Sequence, residues 1–202
     1  FPELVDSLLE KVVPSLTCKF SVKLRLGLQD EHEISSIIPV LNKYPLYEVI
    51  IHPRTGAQMY KGKADLDCFE KYYPSCVHPI VYNGDIFSLN DFNQVKQRFP
   101  VITRFMTGRG VIQNPFLLMI LKEGKNLFDI SKVHSFHDEI YEKNQVILSG
   151  PAHLLGKMKG LWSYLALPLP HGKKLLKQIQ RVSSVSAYNK AIDNYFNLIS
   201  SV

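Results

Sequence analysis

An α/β fold, the second half of a TIM (β/α) barrel followed by an all-α helical bundle, is predicted by three features of this 202-residue sequence. The first is a set of four short apolar runs that each end in basic, amide or glycine residues. They are Ser21-Val22-Lys23-Leu24-Arg25-Leu26-Gly27, Val49-Ile50-Ile51-His52-Pro53-Arg54-Thr55, Pro79-Ile80-Val81-Tyr82-Asn83-Gly84-Asp85-Ile86 and Arg104-Phe105-Met106-Thr107-Gly108-Arg109-Gly110. Barrel strands have this form because their middles are packed while their carboxyl ends carry a site. The second feature is the interval between the runs, roughly 25 to 30 residues, which is one strand, loop and helix. The third is a change to unbroken helical spacing at about residues 127–130. The predicted division is 1–126 for the barrel half and 127–202 for the bundle.

Each element has a local reason. Phe1 to Val13 places apolar residues at helical spacing with Pro2 in the first turn and without initiator Met, so a helix entered from an earlier strand is expected, with a first barrel half upstream. After the first run, Asp30-Glu31 opens a helix to about Lys43 whose inner face is Ile34, Ile37, Ile38 and Leu41; Pro39 is expected to kink it and Pro45 to stop it. A long polar loop follows His52, then a short helix at Leu66 to Tyr72. A capping-box-like Ser88 and Asp91 begin a helix that turns Phe92 and Val95 inward, and a strand at Ile102 to Met106 leads to Gly108. Asp129 or Ser131 caps a helix with Val133, Phe136, Ile140 and Tyr141 toward a core, ended by Gly150-Pro151. Further helices fit 152–167, closed by Pro168 and Pro170, then 173–180 and 186–200, and their short links imply an antiparallel bundle. Trp162, Tyr164, Tyr188, Tyr195 and Phe196 read as its packing, with stacking of one or two on RNA bases as the alternative. His153 reads as a helix-start residue and His171 as a turn residue.

Composition bounds the chemistry. There is no charged segment with an apolar core and small-residue cleavage site, and no run approaches a membrane span, so a cytoplasmic protein without membrane contact is expected. Cys18, Cys68 and Cys76 lack metal-ligand spacing, and free thiols with Cys18 buried are expected, without a metal. The formal charge is +6. Its excess gathers in Lys157, Lys159, Lys173, Lys174, Lys177 and Arg181, the electrostatic footprint of a phosphate backbone; the alternative is a solvated basic surface.

The four strand endings divide the work of a cofactor site: Lys23 a fixed cation, His52 a polarisable donor, Asn83 an amide, and Gly108-Arg109-Gly110 a close backbone approach with a guanidinium for phosphate. Arg25 shares the face of Lys23, and two cations on one interior face cost too much desolvation to be packing. In this order the endings resemble those of the tRNA-dihydrouridine synthase family, which read much like Val-Lys-x-Arg, His-x-Arg-Thr, Asn-Gly-Asp-Ile and Gly-Arg-Gly. Gln58-Met59-Tyr60-Lys61-Gly62-Lys63-Ala64-Asp65 matches a further family stretch, as does Asn114-Pro115-Phe116; the motifs cover about residues 20 to 120.

The resemblance implies FMN as cofactor, NADPH as reductant and reduction of a tRNA uridine to 5,6-dihydrouridine. It implies that Lys23 stabilises negative charge on the reduced ring, that His52 contacts the flavin, that Asn83, Gly84 and Asp85 line its ribityl side, and that Gly108, Arg109 and Gly110 hold its phosphate. Arg25 would contact the flipped uracil with Tyr60 nearby. Arg54 is expected to be a loop-structuring ion-pair residue, and Lys23 has pairing with Asp85 or Glu48 as its alternative. The six tail cations would grip the tRNA backbone. The family's proton-donating Cys has no counterpart here and is expected upstream of Phe1, so the chain is expected to be an inactive fragment of a monomeric enzyme. Pro53 departs from the family's usual Gly and puts the loop after His52 in doubt. Two rivals are an FMN oxidoreductase of a free small molecule, of the dihydroorotate dehydrogenase kind, and a catalytically inert RNA-binding fragment.

Overall fold

Runs of alternating side-chain direction, each separated by a helix, produce a parallel sheet, because a parallel partner needs a crossover connection. A computed structural model of the chain describes residues 1–125 and 129–200. Among these, β1 (Ser21–Gly27), β2 (Glu48–Thr55), β3 (Ile80–Asn83) and β4 (Arg104–Met106) form one sheet in the order β1-β2-β3-β4, every neighbouring pair parallel. The helices are α1 (Pro2–Val12), α2 (Ile34–Leu41), α3 (Leu66–Tyr72), α4 (Leu89–Arg98), α5 (Arg109–Gln113), α6 (Leu117–Glu123), α7 (Ile130–Ile147), α8 (Pro151–Leu165), α9 (Gly172–Arg181) and α10 (Val185–Ser200). α2, α3 and α4 supply the three crossovers.

Two compact units are formed, Phe1–Ile86 with Asn90–Gly108, and Phe87–Leu89 with Arg109–Val202. The predicted boundary at 126/127 and the onset of helical spacing at Leu127 lie outside the described residues. The units part earlier, between Gly108 and Arg109. The reason is local: α5 packs against α8 and α6, so the helical unit begins directly after the last strand ending.

In the sheet unit one face of the strands is aromatic and aliphatic. Leu26, Val49, Ile51 and Tyr82 are buried there, as are Ile34, Ile38 and Leu41 of α2, and Phe69 of α3. Phe69 meets Tyr82 and Phe99 edge-on at 5.2 and 5.0 Å between centroids, and Phe105 meets Phe92 at 4.9 Å. α3 starts as expected, its Asp65 carboxylate accepting from the Cys68 N–H at 2.8 Å. Cys18 departs from expectation: it is exposed, because it precedes β1 in the loop that leads into the sheet, and the buried thiol is Cys68.

The helical unit is held by a core of Val133, Leu154, Met158, Trp162, Leu165, Ile179, Tyr188, Ile192 and Phe196 among others. α8 lies against α7, α9 and α10. At the centre the Trp162 indole N–H donates to the Tyr188 hydroxyl at 2.8 Å, and that hydroxyl bonds His137 Nε2 at 2.7 Å. His137 Nδ1 bonds Asp138 at 2.8 Å, so the hydroxyl donates to an unprotonated Nε2. Burial holds the His137 pKa below its ordinary value. The predicted helix face pointed Phe136 inward; α7 instead buries His137 and leaves Phe136 half-buried. Tyr195 is also buried, its hydroxyl donating to the Pro170 carbonyl at 2.8 Å, while Tyr164 is half-buried.

Candidate active site

Side chains alternate along a strand, so the register decides which residues share a face. Lys23 is paired with Ile50, Arg25 with His52, Ile50 with Val81, and Asn83 with Met106. Lys23, Arg25, His52 and Asn83 therefore lie on one face of the sheet, toward its carboxyl end, opposite the face that carries Ile51 and Tyr82. Those four positions are the ones picked from the sequence, and the register brings them together.

Beyond His52 the register slips. Arg25 faces His52 and Gly27 faces Thr55, so Leu26 alone stands opposite Pro53 and Arg54. This is a β-bulge, and Pro53 explains it: proline has no N–H to give the ladder, and strands accommodate that at a bulge. The Pro53 carbonyl is still used, accepting from the Asp65 N–H at 2.7 Å. The strand thus continues through Pro53 to Thr55, and the consequence of the departure from Gly is a change of register at the site rather than its loss.

The bulge delivers Arg54 inward, where it is 1 % exposed. Its guanidinium donates to the carbonyls of Lys61 (2.6 Å) and Gly62 (2.9 Å) and pairs with the Asp85 carboxylate; Nε has no hydrogen-bond partner among the described residues. Asp85 also accepts from the Ala64 N–H at 3.1 Å. Arg54 is the loop-structuring ion-pair residue expected from the sequence. Asp85, expected beside a flavin, spends its carboxylate on that buried cation, so it shapes the site through the loop. Gly84 has a packing reason of its own, since a Cβ there would lie 2.3 Å from the Tyr82 hydroxyl.

The loop pinned by Arg54 carries Tyr60, and Arg25 holds it from the other side. Arg25 donates to the carbonyls of Thr55 (2.7 Å), Met59 (3.3 Å) and Gly56 (3.5 Å), and its guanidinium carbon sits 5.5 Å from the Tyr60 ring centroid. The Tyr60 ring is 6.4 Å from that of His52. Tyr60 remains 54 % exposed. This caging of Arg25 by loop carbonyls was not readable from the sequence, because it depends on where the loop returns.

Electrostatics separates the two basic groups. His52 is held down to about 4, by burial first and then by Lys23, Arg25 and Arg54, with Asp85 opposing them. It is neutral at pH 7 and acts as a hydrogen-bonding group, not a cation. Lys23 is lowered by partial desolvation and by Arg25, and among the described residues it has no ion-pair partner. The alternative pairings are taken elsewhere: Asp85 by Arg54, and Glu48 by Arg104 at 2.7 Å. Asn83 ties β3 to β4 by donating Nδ2 to the Met106 carbonyl at 2.9 Å.

His52 is depressed on folding, so the unfolded chain takes its proton first, and stability is intact above pH 6.5 and lost as pH falls toward about 4. The full loss is roughly 3 kcal/mol at 1.36 kcal/mol per pKa unit. Urea unfolding of wild type and His52→Gln at pH 7.0 and 4.0 checks it. The wild type should lose more stability than the variant across that range; equal losses would show that His52 is not held neutral by its surroundings.

Gly108 ends the sheet unit, and a Cβ added there would meet nothing within 4 Å, so packing does not explain the missing side chain. Arg109 and Gly110 open α5 in the helical unit, where the Arg109 guanidinium carbon lies 5.3 Å from the Phe87 ring centroid.

Within the helical unit, Lys157, Lys173, Lys174, Lys177 and Arg181 are exposed. At 100° per residue the four on α9 occupy an arc of about 100° opposite buried Leu175 and Ile179. Lys173 and Lys174 lie in the first turn, where the helix dipole disfavours a cation by about 0.3–1 kcal/mol, so helix stability does not account for them. Lys159 differs from the reading that grouped it with these. Its ammonium donates to the carbonyls of Val182 (2.6 Å) and Gln180 (3.2 Å), closing the end of α9, which is a structural use.

The three thiols differ in setting. Cys68 donates to the Glu31 carbonyl at 3.1 Å and burial pushes it up to about 11, while Cys18 and Cys76 precede the amino ends of β1 and β3. Asp30, Glu31 and His32 bring ligand atoms within 4.8 Å on an exposed turn, but the Asp30 carboxylate accepts from the His32 N–H and His32 Nδ1 bonds the Tyr72 hydroxyl.

A parallel α/β sheet with a cation, a neutral imidazole and an amide gathered at one end of one face has the arrangement in which α/β proteins carry a site at their strand ends. The family model described as dihydrouridine synthase (Dus) matches residues 1–199, and the chain belongs to that family. Among relatives, a tRNA-dihydrouridine synthase B of Pasteurella multocida is 30% identical over 123 residues, 60% of this chain and 37% of that protein. A tRNA-dihydrouridine synthase B of Shewanella oneidensis is 28% identical over 172 residues, 79% of this chain and 49% of that protein. A tRNA-dihydrouridine(16) synthase of Neisseria meningitidis serogroup A is 27% identical over 127 residues, 62% and 38% respectively. The chain spans less than half the length of these relatives. Among the described residues no helix is long and apolar enough to cross a membrane.

Proposed function

We propose that this chain is the second barrel half and helical bundle of a cytoplasmic, monomeric enzyme that reduces a tRNA uridine to 5,6-dihydrouridine. The observation that carries the reading is the shared face of Lys23, Arg25, His52 and Asn83 beside the Tyr60 loop. The donor set suits FMN: an unpaired lysine for the electron-rich pyrimidine edge of the ring, a neutral imidazole and amide for its polar atoms, and bare Gly108 followed by Arg109 and Gly110 for the phosphate. Gly84 and Asp85 shape the rim. Reduced FMN, recharged by NADPH, would supply the hydride for the uracil double bond.

The chain's own residues then hold and orient. Lys23 favours negative charge on the ring edge next to it, and with Asp85 paired to Arg54 and Glu48 to Arg104 neither carboxylate competes for its donors. His52 donates or accepts without adding charge. Arg25, already fixed by three loop carbonyls, presents its remaining donors near Tyr60, and the pair receives a uracil taken out of its stack. Lys157, Lys173, Lys174, Lys177 and Arg181 meet the tRNA backbone; Lys159 supports them by closing α9. The family resemblance assigns the proton for the second uracil carbon to a cysteine of the first barrel half, and Cys18, Cys68 and Cys76 are not given that role. Mass-spectrometric measurement of dihydrouridine in unmodified tRNA treated with the complete protein, FMN and NADPH tests the reading. The absence of product with every tRNA would favour the small-molecule oxidoreductase alternative.

A further inference from the structure

The helical unit holds a cleft between α9 and the carboxyl-terminal half of α10, about 200 Å³ in volume. Its walls are His171, Lys174 and Gln178 on one side and Asn194, Tyr195 and Leu198 on the other. Residues 171, 174 and 178 recur at three- and four-residue spacing, so they line one face of α9, as 194, 195 and 198 do on α10. We infer that this cleft receives one unpaired nucleobase of an RNA partner, at a site separate from the strand ends. The inference rests on the proposed tRNA partner and names a second place where that partner is read.

The walls have the chemistry a base requires. Gln178 and Asn194 each carry an acceptor and two donors, and among the described residues neither amide has a hydrogen-bond partner; side-chain amides are groups that bind base edges in pairs. Leu198 is 57 % exposed, an apolar surface for the flat face of a ring. Tyr195 closes the floor and is fixed by its hydroxyl on the Pro170 carbonyl. The cleft is pre-formed by the turn before α9. Gly172 lies so close to Ala166 that a Cβ would stand 1.8 Å from its carbonyl oxygen, and His171 is held in the left-handed region at φ 53°. Lys174 belongs both to the cleft and to the basic arc with Lys173, Lys177 and Arg181, so a phosphodiester following the arc delivers its base to the amides. Cationic rim, apolar wall and paired amides together distinguish an unpaired nucleotide from a duplex, whose bases are covered.

Fluorescence anisotropy with the full chain tests this, using an unmodified tRNA transcript and a fully paired RNA duplex of equal length as probes. The Gln178→Ala/Asn194→Ala variant should bind tRNA about tenfold more weakly than wild type, with the salt dependence of binding unchanged and duplex affinity unchanged. Both residues are exposed, and an unaltered thermal midpoint in circular dichroism establishes that the variant is folded. If wild type binds tRNA and the variant binds it equally, or loses duplex binding in the same proportion, the cleft is not a base site although RNA remains the partner. If wild type binds neither probe, the partner itself is wrong and the cleft proposal falls with it.

Discussion

Asp85→Ala is expected to destabilise the sheet unit by about 3–5 kcal/mol, the usual cost of removing one member of a buried ion pair and leaving the other charge uncompensated. Arg54 is 1 % exposed and has Asp85 as its carboxylate partner. Its other acceptors are the carbonyls of Lys61 and Gly62, which carry partial charge only. The guanidinium lies under the loop it holds, while Asp85 is 23 % exposed, so water entering in place of the carboxylate keeps the cost at the lower end of that range. The double change Arg54→Leu with Asp85→Leu removes both charges and should recover a large part of the loss, since well-packed apolar replacements of buried pairs are often near neutral. Urea unfolding of the three variants measures the effect. A cost below about 1 kcal/mol for Asp85→Ala, on the same scale, would mean that Arg54 is not neutralised by Asp85 and that the Tyr60 loop is held in another way.

In the helical unit Trp162→Ala should cost about 3–5 kcal/mol, the range for truncating a buried aromatic. Trp162 is fully buried, with ring centroids of His137 and Phe196 at 5.4 and 6.3 Å. Its indole N–H also satisfies the Tyr188 hydroxyl, which in turn meets His137. Trp162→Phe keeps most of the ring volume and removes the donor, and should cost less, about 1–3 kcal/mol. Thermal unfolding followed at 222 nm compares the two; equal costs would show that the ring volume kept by Phe contributes nothing beyond the lost donor, against the packing contribution expected here.

The strand ends were legible in the sequence because period-two alternation is local. Lys23 and Arg25 follow it within one strand, and His52 and Asn83 were read near the ends of the next two; that all four share a face follows from the register between strands. Arg54 was legible as a loop ion-pair residue, but its depth was not. It follows from the bulge opposite Leu26, and a register slip shows only when two strands are laid side by side. His137 was missed for a related reason. Helical spacing leaves the turn angle of α7 free by one position, and the deciding factor is that Tyr188 and Trp162, far along the chain, satisfy an imidazole there. Cys18 was misread because burial of free cysteine is a tendency of cores, and this one lies in the loop before β1. Lys159 was grouped with the exposed cations because it sits in the middle of α8, and only the pairing of α8 with α9 shows that it reaches the last carbonyls of α9.

In the function proposed here, the Lys23, Arg25, His52 and Asn83 face, with Tyr60 over Arg25, receives the uridine of a tRNA for reduction. The most direct measurement is the rate of dihydrouridine formation by the complete protein and its Arg25→Ala variant, on unmodified tRNA with FMN and NADPH supplied. The account predicts product with wild type and a rate lowered about 100-fold in the variant, the scale of misplacing a substrate at its reacting carbon, with tRNA affinity and its salt dependence unchanged. A variant that reduces tRNA at the wild-type rate would contradict it.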